Sequence, residues 1–134
     1  VVDDLAAAIE FFVALGLEAQ ERQLLEGESV DRIMGLEGAR AERAFVRTPD
    51  GHGWLELVEF RSPPYTGERS LEPSNAPGIR YVTFVVDDLD AVLSDICDHG
   101  AELVGEVQNY ENVDKLCFIR GPAGIIVELA ERLG

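Results

Sequence analysis

The chain has 134 residues, 46% of them hydrophobic and 28% charged, and its 26 acidic and 11 basic residues give a formal net charge of −15. That length can bury the core of one domain. The charge repels phosphate backbones and anionic lipid surfaces, so neither nucleic acid nor a membrane is expected as a partner.

No apolar run approaches the roughly 18 to 20 residues of a membrane helix, and no basic segment followed by an apolar one marks a signal peptide. The only cysteines, Cys97 and Cys117, are spaced for neither a zinc ribbon nor a disulfide framework. They are expected as buried free thiols in a reducing, cytoplasmic setting.

In chain order, Val1-Val2-Asp3-Asp4 reads as the tail of a strand meeting a helix, so strand residues are expected to precede Val1. Asp3 or Asp4 can cap that helix by accepting from its unpaired N–H groups. Ala8, Phe11, Phe12 and Leu15 then recur at helical spacing, and Gly16 suits the residue that ends a helix. Strands are expected over 18–24, 41–47 and 53–60, with a short helix or loop over 29–35. Prolines 63, 64, 73 and 77 mark residues 63–78 as a linker. Beyond it, strands are expected over 79–86, 101–110, 116–120 and 125–130. A helix capped by Asp87 or Asp88 carries Val92, Leu93 and Ile96 and ends before Gly100.

An internal repeat organises these elements. Val1-Val2-Asp3-Asp4-Leu5 recurs as Val85-Val86-Asp87-Asp88-Leu89, Phe45-Val46-Arg47 as Phe118-Ile119-Arg120, and Glu56-Leu57-Val58-Glu59 as Glu128-Leu129-Ala130-Glu131. Three matches in one order define two units, 1–62 and 79–134, each a strand, a helix and three strands. The fold class expected is α+β. Two tandem βαβββ units form a curved mixed sheet as a cup, with helices outside and a concave face left for a ligand.

Strand alternation sorts the side chains. Leu55 and Leu57, like Val127 and Leu129, suit the helix side. Glu56 and Glu128 then share the opposite face with apolar neighbours, where a carboxylate is costly unless paired, hydrogen-bonded or metal-bound. Tyr81 and Thr83 fall on that face too. Trp54 shares a face with Glu56 and is the best aromatic candidate for a pocket; Tyr81, Phe118, Phe45 and Tyr110 either line it or fill core. Arg47 and Arg120 could hold an anionic group, although salt bridges are the preferred reading. His52 is expected as a solvated turn residue, and His99 as a structural one at a helix end.

The paired Val-Val-Asp-Asp-Leu openings, Trp54-Leu55-Glu56-Leu57 and Gly121-Pro122-Ala123-Gly124-Ile125-Ile126-Val127-Glu128-Leu129 resemble the unit starts and ends of the vicinal-oxygen-chelate superfamily. That group includes glyoxalase I, bleomycin-resistance proteins and extradiol dioxygenases. The resemblance implies a divalent ion (Ni²⁺, Zn²⁺, Mn²⁺, Fe²⁺ or Mg²⁺) held by Glu56 and Glu128, with Tyr81 at a position where His is common. The remaining ligand position would precede Val1. A phenol is a poor ligand unless deprotonated, so Tyr81 is a doubtful one.

On this resemblance the chain is a metal-dependent isomerase or lyase acting on a small oxygenated metabolite. The ion would stabilise enolate charge, and Glu56 or Glu128 would act as base. The alternative is a metal-free protein that sequesters a bleomycin-type drug. A homodimer is the assembly implied.

Overall fold

The structure is a computed structural model and describes residues 1–64 and 71–134; the part of the linker at 65–70 lies outside the described residues. The fold is α+β, built on two separate sheets, and the chain divides into two compact units, Val1–Glu68 and Arg69–Gly134.

In the first unit α1 (Leu5–Leu15) is followed by β1 (Glu18–Ala19), β2 (Gln23–Glu26), α2 (Glu28–Met34), β3 (Arg40–Arg47) and β4 (Trp54–Ser62). β3 pairs antiparallel with β4 on one edge and with β1 and β2 on the other. The second unit contains β5 (Tyr81–Val85), α3 (Leu89–Cys97), β6 (Glu102–Leu103), β7 (Gln108–Tyr110), β8 (Asp114–Arg120) and β9 (Ile126–Arg132). β9 lies between β5, to which it is parallel, and β8, to which it is antiparallel; β6 and β7 pair with the far edge of β8.

The duplication extends to individual hydrogen bonds. The Asp4 carboxylate accepts from Ala7 N–H at 3.0 Å and that of Asp88 from Ala91 N–H at 3.0 Å, with nearly identical cap backbone angles. Two positions before each cap, a valine bonds to the unit's last strand: Val2 N–H donates to the Val58 carbonyl and Val86 N–H to that of Ala130, both at 2.8 Å. Each cap satisfies one of the N–H groups that a helix leaves unpaired.

Two expected strands are each broken in two. Residues 18–24 yield β1 and β2, and residues 101–110 yield β6 and β7. The cause is a register slip against the neighbouring strand. From Ala19 to Gln23 the outer segment advances four positions while β3 advances three, from Val46 to Arg43. From Leu103 to Gln108 it advances five while β8 advances three, from Ile119 to Leu116. Surplus residues of this kind form a bulge, which interrupts the ladder and bends the strand. Periodicity alone does not show where the ladder breaks. Residues 29–35 are resolved as helix, since α2 spans Glu28–Met34. Its Asp31 carboxylate accepts from the N–H groups of Gly38 and Ala39 and ties the helix to the start of β3.

The core of each unit is the layer between helix and sheet. Leu5, Ala8, Phe11, Phe12 and Leu15 of α1 are buried, as are Ala44, Val46 and Leu57 of the sheet beneath. In the second unit Leu89 and Ile96 of α3 are buried, along with Ile119, Val127 and Leu129. The carboxylate of Glu131 in β9 accepts from Leu89 N–H at 2.7 Å, fastening the first residue of α3 to the sheet. Cys117 is buried as expected, whereas Cys97 is exposed. Cys97 follows Ile96, so the helical rotation that buries Ile96 turns the next position outward.

The β3–β4 turn sets the register of the first unit. Thr48 Oγ1 accepts from Gly53 N–H at 2.8 Å and donates to Asp50 Oδ1 at 2.6 Å, and Asp50 also accepts from His52 N–H. A Cβ at Gly53 would lie 3.0 Å from Thr48 Cγ2, a contact tight enough that the Thr48 side chain would have to shift to admit it. The Thr48 hydroxyl, followed by the His52 N–H, holds the Asp50 carboxyl below its ordinary value. His52 is exposed and acts in the turn through its backbone.

Two stability measurements check this account. Asp4→Ala and Asp88→Ala should each cost about 1 kcal/mol in urea unfolding, the usual magnitude for a lost cap. Asp50 has a folded pKa below its unfolded one, so its contribution is complete above the unfolded value and is lost as pH falls through the folded value. The urea midpoints of wild type and Asp50→Ala should therefore differ at neutral pH and converge in acid.

Candidate functional site

In each unit the face away from the helix is set by the pairing of its last two strands. In the first unit Phe45 lies opposite Glu56, Arg43 opposite Val58 and Arg47 opposite Trp54. Directly opposed residues of an antiparallel pair share a face, so Arg43, Phe45, Trp54 and Glu56 are brought together. Glu56 Oε1 accepts from Arg43 Nη1 at 3.0 Å, and Arg43 Nε donates to Gln23 Oε1 at 3.0 Å. The guanidinium lies over the Phe45 ring, 5.1 Å from its centroid. Trp54 meets Phe45 edge-on at 5.7 Å and is 60% exposed. The side chains of Arg43 and Glu56 are 30% and 40% exposed.

The second unit presents the equivalent face with different chemistry. Phe118 lies opposite Glu128 on one side and Thr83 lies opposite it on the other. Thr83 Oγ1 donates to Glu128 Oε2 at 2.6 Å, and the rings of Tyr81 and Phe118 are 4.7 Å apart. Glu128 is half-buried between Ile126 and Ala130, both buried, and Tyr81 is 44% exposed. The residue in the place of Arg43 is Leu116, two positions before Phe118. The two repeat-related carboxylates therefore have different partners, a guanidinium for Glu56 and a hydroxyl for Glu128.

Arg43 is the charged residue of this face that the sequence reading misses. The signal for it was present: alternation along 41–47 puts Arg43 on the face of Phe45, and the Pro49–Gly53 turn fixes what lies across from it. Of the two repeat-related arginines, Arg47 pairs with Glu18 at 3.4 Å, in line with the salt-bridge reading. Arg120 departs from that reading. It donates to the carbonyls of Gly124 and Glu72, both at 3.0 Å, because the loop after β8 and the segment before β5 offer it backbone acceptors. Near the start of β5, a shallow cleft of about 250 Å³ is lined by Ile79, Arg80, Tyr81, Gly124 and Ile126.

The family model for the Glyoxalase/Bleomycin resistance protein/Dioxygenase superfamily matches residues 1–129. The chain belongs to this superfamily. A glyoxalase family protein from Bacillus cereus is 46% identical, with a TM-score of 0.94 over 99% of this chain and 89% of that one. A glyoxylase/bleomycin resistance protein/dioxygenase domain from Frankia is similar in fold at 18% identity (TM-score 0.65; 98% of this chain, 85% of that one). Glyoxalase I from Zea mays is similar in fold at 15% identity, with a TM-score of 0.64 over 98% of this chain and 44% of that one. No curated protein sequence matches the chain. Among the described residues, no helix is long and apolar enough to cross a membrane.

Superfamily members bind small-molecule ligands and typically use a divalent metal. The donor set described here fits such an ion poorly. Glu56 is already neutralised by Arg43, whose fixed positive charge would oppose a second cation at the same carboxylate. Tyr81 is a phenol packed on Phe118, and among the described residues no group of three or more His, Cys, Asp and Glu side chains is placed to hold a metal ion. Glu128 keeps one oxygen without a described partner.

Neither cysteine belongs to this face. Burial pushes the Cys117 thiol above its ordinary pKa, which keeps it protonated and unreactive at neutral pH. In the native protein a thiol-specific reagent should titrate Cys97 promptly and Cys117 only after unfolding. Prompt reaction of both would contradict the burial of β8.

Proposed function

We infer that this chain binds a small oxygenated molecule on the exposed sheet faces of its units, without a metal ion at Glu56. On the first unit's face the residue assigned to ligand contact is Trp54, with Glu56 as the polar group; on the second unit's face they are Tyr81, Thr83 and Phe118, with Glu128 as the polar group. The observation that carries this reading is the 3.0 Å contact from Arg43 Nη1 to Glu56 Oε1. A carboxylate that accepts a charge-assisted bond from a guanidinium, itself held by Gln23 and Phe45, is committed to that partner. Aromatic rings beside a few fixed polar groups are the usual make-up of a small-molecule site. These features support a reading nearer the binding and sequestering members of the superfamily than the metal-dependent ones. The form proposed is a cytoplasmic homodimer, on the family resemblance.

A metal-dependent isomerase or lyase is the second reading. It is favoured by the repeat-related positions of Glu56 and Glu128, each opposite a phenylalanine on its unit's last strand.

Elemental analysis separates the two. Protein purified without chelator, and after supplementation with Ni²⁺, Zn²⁺, Mn²⁺, Fe²⁺ or Mg²⁺, should retain far less than one ion per chain. Arg43→Gln should retain more, because Glu56 is released. One ion per chain in wild type, lost in both Glu56→Ala and Glu128→Ala, would establish the second reading instead. Trp54 is the only tryptophan, so its fluorescence reports on the first unit's face. Screened after chelator treatment against small oxygenated and aromatic compounds, it should register saturable binding that added metal leaves unchanged.

A further inference from the structure

The Arg43–Glu56 pair is only half used. Arg43 commits Nε to Gln23 and Nη1 to Glu56, while Nη2 has no hydrogen-bonding partner among the described residues. Glu56 commits Oε1, and its Oε2 likewise has none. The pair therefore offers one open donor nitrogen and one open acceptor oxygen on two hydrogen-bonded side chains, with formal charges that cancel. The guanidinium cannot swing away without losing Gln23, Glu56 and its contact over Phe45, so the two open atoms are held in place. On the same face stands Trp54, in edge contact with Phe45 and 60% exposed, an aromatic surface that a ligand ring can pack against.

Charge narrows the ligand that fits. A simple anion would satisfy Nη2 but would meet the Glu56 carboxylate and a chain of net charge −15. A simple cation would satisfy Oε2 but would meet the Arg43 guanidinium. A ligand carrying an ammonium and a carboxylate on the same carbon satisfies both and adds no net charge to the site. Resting on the binding reading above, we propose that the first unit's face recognises a zwitterionic aromatic compound of the α-amino acid type. Its carboxylate bonds to Arg43 Nη2, its ammonium to Glu56 Oε2, and its ring stacks on Trp54. The repeat shows that the fold does not demand this pair, since the second unit has Leu116 in the place of Arg43 and gives Glu128 to the Thr83 hydroxyl.

Three probes that share a phenyl ring on a two-carbon chain test the proposal on the full chain: L-phenylalanine, 3-phenylpropanoate with only the negative charge, and 2-phenylethylamine with only the positive one. Binding is read by Trp54 fluorescence and by calorimetry. L-phenylalanine should bind at least about tenfold more tightly than either analogue, the equivalent of one added charge-assisted hydrogen bond. Arg43→Gln and Glu56→Gln, with circular dichroism spectra like wild type, should each abolish that preference.

Equal binding of L-phenylalanine and 2-phenylethylamine would reduce the effect to general acidity and overturn the proposal. Equal binding of L-phenylalanine and 3-phenylpropanoate would reduce it to Arg43 alone and do the same. If none of the three binds while other compounds of the screen do, the zwitterion assignment fails and the binding reading stands. If no compound binds at all, both fail.

Discussion

Each unit depends on the antiparallel register of its last two strands. In the first unit that register puts Phe45 opposite Glu56; in the second it puts Phe118 opposite Glu128. A shift of one residue would send both carboxylates to the helix side, among Leu57, Val127 and Leu129, where an unpaired charge is expensive. The buried layer on one face thus enforces the polar arrangement on the other. In the first unit the Thr48–Asp50–Gly53 turn adds a local lock, because the hydroxyl, the carboxylate and the missing Cβ all have to coincide.

The duplication is conserved where the backbone needs it and relaxed where the ligand face begins. Both units keep the aspartate cap, the bond from the valine two positions before it to the last strand, the slipped outer strand and the Phe–Glu pairing. They differ in what neutralises the glutamate. An arginine at that position makes a charge-neutral pair, and a threonine hydroxyl leaves the carboxylate with its charge. Two equivalent metal-ligand positions are what the family pattern suggests. In the structure one of them, Glu56, has the Arg43 guanidinium as its partner.

The net charge takes on a different meaning beside this local neutrality. At −15 the chain attracts cations from a distance. At the Arg43–Glu56 pair, however, the fixed guanidinium opposes a bare cation, and only a group that also presents an acceptor is complemented.

The sequence by itself determined the α+β class, the tandem units and the face on which Glu56, Glu128, Trp54, Tyr81 and Thr83 lie, and it narrowed each helix cap to two adjacent aspartates, of which the structure uses Asp4 and Asp88. These follow from periodicity, from cap chemistry and from a repeat that survives in the chain, all properties of residues close together in order. It did not determine where the outer strands break, that Cys97 is exposed, that Arg120 turns to backbone carbonyls, or that Arg43 joins Glu56. Each of these depends on which residues meet across a sheet or loop, and local pattern does not specify that. Arg43 is thirteen positions from Glu56 in the chain and 3.0 Å from it in the fold. Only the closed β3–β4 ladder makes them neighbours, and that contact decides what the carboxylate can do.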